Sequence, residues 1–236
     1  MRHIQAVVTV IPSMALGLVL GAALGSPAMA QLDLTKKTSP AAAAINSAAP
    51  PPRVATQDAA TIVRRANAYF NGITTLVSDF TQSGGDGRTV TGKLYVAKPG
   101  RLRFEYDRPS PLEIIADGTS VAIRNRKLAT QDLYFISQTP LKFLLKGNLD
   151  LTKDTKILEI KQAPDVTTIK IEDKATFGGT SRITLVFNTS DFTLKNWVVS
   201  DPQGYETLVA LNNMNTRQQP DPALFTINYD RQDSNQ

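Results

Sequence analysis

Between Arg101 and Asp107 the sequence reads RLRFEYD, and charged and apolar residues alternate without a slip. Successive side chains of an extended strand point to opposite faces. Arg101, Arg103, Glu105 and Asp107 therefore share one side, and Leu102, Phe104 and Tyr106 share the other. Such a strand has a wet face and an apolar face. Something has to cover the apolar one.

The same period of two runs through most of the chain from Thr74 onward. TLVSDFTQ and RTVTGKLYVA flank SGGDG, whose Asp86-Gly87 pair marks a hairpin turn. RLRFEYD follows across Lys98-Pro99-Gly100, LEIIAD across Pro109-Ser110-Pro111, SVAIRN after Asp117-Gly118, and then LYFIS. Thr139-Pro140 next opens an apolar helical stretch, with Thr139 as its capping residue and Gly147 as its stop. KILEIKQ, VTTIKIED, SRITLVFN, TLKNWVVSD and ETLVALNNM make a second run of strands. The tail DPALFTINYD reads as a short helical turn and a last extended piece. Ahead of all this, Asp58 to Gly72 is an amphipathic helix with Thr56 or Asp58 at its N-cap. The count is about eleven antiparallel strands and two helices.

The start of the chain points to export. Arg2 and His3 lead into an apolar run from Ala6 to Leu24 and then to Ala28-Met29-Ala30. This pattern is that of a secretory signal peptide, residues 1–30, cut after Ala30. Residues 31–57 are rich in Ala, Pro and Ser and read as a disordered leader. Residues 58–230 are then one folded domain, followed by a polar tail, residues 231–236.

Composition removes most chemistry. The chain has no cysteine, and its one histidine, His3, would leave with the signal peptide. Disulfides, thiol nucleophiles and thiolate metal sites are excluded. So are a Ser-His-Asp triad and a histidine-ligated zinc in the mature chain. No enzyme activity, cofactor or metal is expected. Glu105 and Asp107 lie two apart but sit among Arg101, Arg103 and Arg108, the pattern of an exposed charge ladder. The net charge of +5 is spread along the chain, which in an exported protein suits anionic lipid head groups better than nucleic acid.

Two helices supply only two narrow apolar stripes for a sheet of this size. A partly curled sheet would carry them as a lid over an apolar cavity. An ordinary filled core is the other outcome, and periodicity alone favours it.

The run GKLYVAKPGRLRFEYDRPSPLEIIADGTSV, Gly92 to Val121, resembles the signature region of the periplasmic outer-membrane lipoprotein carrier family (LolA). Lys98-Pro99 precedes a strand with an aromatic residue, and Pro109 or Pro111 leads to Asp117-Gly118. DFTQ, Asp79 to Gln82, follows the first helix, and Thr139-Pro140 introduces an apolar helix. The resemblance spans about Ala59 to Tyr229. It implies a mainly β fold, an eleven-stranded antiparallel half-open barrel with a helical lid over an apolar cavity that holds lipoprotein acyl chains. As partners it implies acylated lipoproteins, an inner-membrane ABC-type release complex and an outer-membrane lipoprotein acceptor, with no nucleic acid. A monomer is expected. A lipid or envelope-stress sensor of the same shape is the second reading.

On this resemblance Leu94, Val96, Leu102, Phe104, Tyr106 and Ile114 line the cavity, and Leu141, Leu144 and Leu145 belong to the lid; each is equally readable as core. Phe104 stands where the family usually has tryptophan. Leu102 stands where a bulky apolar residue also contacts the release complex. Lys98 holds the family's basic position, frequently an arginine that latches the lid through backbone carbonyls. Lysine lacks the planar fork of donors, which leaves a looser latch or a solvated strand-end charge. Trp197 falls in a strand whose inward face the sequence leaves undecided.

Overall fold

The computed structural model describes residues 57–176 and 178–230. The expected signal peptide, the leader before Gln57 and the tail 231–236 lie outside the described residues. Helix α1 (Ala59–Gly72) starts where the Asp58 carboxylate accepts the Thr61 amide at 2.7 Å. A side-chain acceptor at that position satisfies an otherwise orphaned helical N–H. Ile62, Val63, Ala66 and Phe70 form the buried stripe of α1.

Six strands follow: β1 (Thr75–Gly84), β2 (Thr89–Ala97), β3 (Arg101–Tyr106), β4 (Leu112–Asp117), β5 (Ser120–Asn125) and β6 (Thr130–Phe135). Two short helices come next, α2 (Lys142–Leu145) and α3 (Leu151–Asp154). The second run is β7 (Lys156–Gln162), β8 (Val166–Thr176), β9 (Gly179–Asn188), β10 (Leu194–Ser200) and β11 (Glu206–Asn215). The eleven strands make one antiparallel sheet in the order β6-β5-β4-β3-β2-β1-β11-β10-β9-β8-β7. Two meanders are thus joined along β1 and β11, and β6 and β7 are its two unpaired edges. The unclosed sheet is the half-open one that the family resemblance implies.

Burial follows the alternation. On β3, Leu102, Phe104 and Tyr106 are buried while Arg101, Arg103 and Glu105 are half-buried. On β9 the inward residues are Ile183, Leu185 and Phe187. Trp197 of β10, undecided from sequence, also faces inward and is 1% exposed.

Several expectations are corrected. The described residues hold three α-helices, not two, and the stretch after Thr139 is a single four-residue turn. Thr139 does not cap it: its hydroxyl donates backward to the Ile136 carbonyl at 2.9 Å, and the N-cap position falls to Leu141, which makes no capping bond. The strand read as LYFIS ends at Phe135, because Ile136 opens a 3-10 turn. The tail does form a 3-10 turn, Pro222–Phe225, but no described residue after it joins the sheet.

The expected exposed charge ladder is partly covered by that tail. Glu113 of β4, 5% exposed, pairs with Arg103 and with Arg124 (3.1 Å), and Arg103 donates to the Leu224 carbonyl at 3.2 Å. The Arg101 guanidinium lies 5.7 Å from the Phe225 ring. Cross-strand pairing of opposite charges turns the wet face into a seat for the chain end.

Candidate functional site

The inner wall is set by close packing around β1 to β3. The Phe80 ring lies over Gly92, where an added Cβ would stand 2.8 Å from the ring and 2.1 Å from the Glu105 carbonyl. Only glycine leaves room there. Phe80 in turn meets Phe104 and Tyr106 edge-on, at 5.0 and 5.1 Å between centroids. The Tyr106 hydroxyl donates to Gln82 Oε1 at 2.8 Å, and burial holds its pKa above the ordinary tyrosine value.

The roof is α1 together with the connection from β6 to β7, residues 136–155, here called the cover. Phe143 of α2 packs edge-on against Phe70 of α1 (5.7 Å) and Trp197 of β10 (5.6 Å). Leu144 and Leu145 are buried beside it. The cover touches the sheet through few directional contacts. The Gly100 amide donates to the Leu145 carbonyl at 3.0 Å, and Lys142 Nζ sits 2.9 Å from Asp173 Oδ1 of β8. Gly100 has φ +75°, and a Cβ there would lie 2.7 Å from Gly118 Cα, so two hairpin turns press together to present that amide. Further along, the Asn71 side chain accepts from the Leu149 amide (2.7 Å) and donates to its carbonyl (2.9 Å). Asn67 Oδ1 accepts the Leu151 amide at 3.0 Å.

Between cover and sheet lies a cleft of about 380 Å³, near the low end of the ~300–1,000 Å³ usual for ligand pockets. Ile136, Pro140, Phe143, Leu145 and Leu149 line it from the cover, and Ile171 and Ile183 from β8 and β9. The rest of the concavity is filled by side chains. Leu94, Val96, Leu102, Phe104, Tyr106, Leu144 and Leu145 are each less than 5% exposed, within one cluster against which Ile114 and Leu141 are partly buried. None of the six residues expected as cavity wall borders the cleft, and of the three expected in the lid Leu145 does. Leu102, expected also to contact a release complex, is fully buried.

Lys98 is neither a solvated strand-end charge nor bonded to the cover. Its Nζ donates to the Phe70 carbonyl at 2.6 Å, at the C-terminal end of α1. That site favours a cation, yet burial lowers its pKa to about 8. The latch position thus fastens α1 to the end of β2. Phe143, Trp197, Asn67 and Asn71 were not singled out as site residues by the sequence. Helical spacing from Leu141 skipped Phe143, and in a single turn every side can be buried. Asn67 and Asn71, four apart on α1, were the available signal for a polar clamp.

An open antiparallel sheet, apolar inside and roofed by one helix and one weakly tethered connection, defines a class of protein with a coverable apolar interior. Residues 71–228 match the outer membrane lipoprotein carrier protein LolA family, and the chain belongs to that family. An outer-membrane lipoprotein carrier protein of Chromobacterium violaceum is 25% identical over 175 residues, covering 71% of this chain and 84% of the relative. One from Methylococcus capsulatus is 28% identical over 180 residues, covering 72% and 85%. The crystal structure of a LolA superfamily protein from Nitrosomonas europaea covers 73% of this chain and 99% of its own at 13% identity, with a TM-score of 0.42.

Proposed function

We propose that this protein is a non-enzymatic, monomeric periplasmic carrier, with residues 58–230 as its body and a signal peptide removed after Ala30. It takes the acyl chains of lipoproteins from an inner-membrane ABC-type release complex and delivers them to an outer-membrane acceptor. A sixteen-carbon chain resists leaving a bilayer by on the order of 12 kcal/mol, at about 0.8 kcal/mol per methylene. A carrier has to replace most of that burial and still let go. Family membership supports this reading, and one observation carries it: three consecutive apolar cover residues, Phe143, Leu144 and Leu145, occupy the inner face from a connection whose helices are no longer than four residues. Acyl chains of similar surface chemistry take their place against Phe70, Trp197 and the β2–β3 wall. Leu94, Val96, Leu102, Phe104, Tyr106 and Ile114 then become the lining, Leu141, Leu144 and Leu145 the displaced lid, and Lys98 the anchor that keeps α1 in position.

The test is transfer itself. Mature protein in excess is incubated with inner-membrane vesicles carrying a triacylated lipoprotein, and the vesicles are pelleted. The lipoprotein should appear in the supernatant as a one-to-one complex. If it all stays in the pellet, the carrier reading is wrong.

A further inference from the structure

The cover has two unlike halves. Residues 149–155 are clamped to α1 by the amide groups of Asn67 and Asn71. Residues 136–146 meet the sheet through the Ile136 amide on Thr119 (3.1 Å), the Gly100–Leu145 bond and the Lys142–Asp173 ion pair. Gly147 and Asn148 lie between the halves and are exposed, and a Cβ on Gly147 would meet nothing nearer than Pro99 Cβ at 3.5 Å. Lys142 and Asp173 both border the cleft, with their side chains 27% and 6% exposed. The pair therefore spans from α2 to β8, across the open side of the sheet. The neighbouring pair, Lys146 with Asp154, ties nothing to the sheet; it joins the two halves of the cover across Gly147–Asn148 and so acts at the hinge.

The energetics turn on the directional contacts to the sheet, and of the three the Lys142–Asp173 pair is the one made between side chains. When an acyl chain replaces Phe143, Leu144 and Leu145 against the same wall, apolar burial is exchanged for apolar burial, and the hydrophobic contributions largely cancel. The directional contacts do not cancel, because the displaced half of the cover loses them. We propose that the Lys142–Asp173 ion pair is the latch of the empty cleft: residues 136–146 swing out at Gly147–Asn148 when it breaks, while residues 149–155 stay on α1. This rests on the carrier reading above and adds how loading is controlled.

The test variant combines Lys142→Met with Asp173→Asn, so that neither charge of the pair remains. The probe is a C16 fatty acid bearing a fluorophore, mixed with mature protein in a stopped flow. The double variant should take up the probe about tenfold faster, the factor that ~1.4 kcal/mol of lost closing energy gives. The exchanged pair, Lys142→Asp with Asp173→Lys, should return the rate toward that of the unsubstituted protein. Added salt should speed the unsubstituted protein and leave the neutral variant unchanged. Uptake by the neutral variant at the unsubstituted rate overturns the latch and leaves the carrier reading standing. Should that variant fail to fold, Lys142→Gln carries the test, and its uptake at the unsubstituted rate overturns the latch equally. If the unsubstituted protein takes up no probe, the carrier reading falls and the latch with it.

Discussion

Two stretches outside the sheet cover its two faces, and they do so by different chemistry. The cover lays Phe143, Leu144 and Leu145 on the apolar inner face. The C-terminal segment lies on the charged outer face, where Arg103 holds the Leu224 carbonyl, Gln131 donates to the Asn228 carbonyl at 2.8 Å, and Tyr229 donates to Asp117. Its apolar share is Ile227, packed on Ile115 and Ala122, and the buried ring of Phe225. Apolar contacts are non-directional, so on the carrier reading proposed above lipid takes the place of the cover. Directional polar contacts have no counterpart in a hydrocarbon chain, so lipid cannot substitute for the outer segment. The proposal makes one covering exchangeable and the other structural.

The largest expected effect tests the structural side. Glu113→Ala leaves Arg103 and Arg124 facing each other with little solvent, and should cost about 3 kcal/mol in denaturant unfolding. Acyl uptake per folded molecule should not change. A change in uptake would erase the distinction between the two faces.

Phe143→Ala comes next. Truncating a buried Phe in a fixed core costs about 3–5 kcal/mol. Here the loss should stop near ~2 kcal/mol, because a closed state destabilised further simply yields to the open one. Affinity for a fluorescent fatty acid should rise as global stability falls. A full core-like penalty with unchanged affinity would make the cover part of a fixed core.

Asn71→Ala removes two hydrogen bonds to Leu149 and should cost about 1–2 kcal/mol, at ~1 kcal/mol for each bond. It should also raise hydrogen exchange over residues 149–155, which are otherwise expected to stay closed on loading.

The smallest effect is one of pH. Burial lowers the Lys98 pKa from 10.5 to about 8, so between those values the unfolded chain binds the proton that the folded chain has shed. Stability then rises with pH through that window. Tyr106, whose pKa is raised by burial, reverses the trend once unfolded tyrosine ionises near pH ~10. Lys98→Met should flatten the rise in denaturant midpoint between about pH 8 and 10. An unflattened profile would mean that Lys98 is not buried at the end of α1.

The sheet was legible because its signals are local. Strict alternation at Arg101–Asp107 and the turns at Asp86-Gly87 and Asp117-Gly118 fix strands and faces with no knowledge of distant partners. The amphipathic stripe of α1 was legible for the same reason, down to Asp58 as its cap. The cover was not, since two four-residue helices are too short to display a period, and Thr139 looks like a cap until its hydroxyl is seen to turn back on Ile136. Glu113 reads as a wet-face residue. Its burial depends on Arg103, Arg124 and a chain end more than a hundred residues away. The bonding partner of Lys98 was likewise unreadable, because the Phe70 carbonyl is a backbone group whose position only the fold determines.

Amide exchange at Gly100 reports most directly on whether acyl chains take the place of the cover. That N–H donates across the gap to Leu145 and is protected only while the cover is down. When lipoprotein is bound, the Gly100 amide should exchange faster, while Phe104 in the middle of β3 keeps its protection. Full protection at Gly100 in a loaded complex would mean that cargo binds with the cover still closed, and would contradict the displacement mechanism.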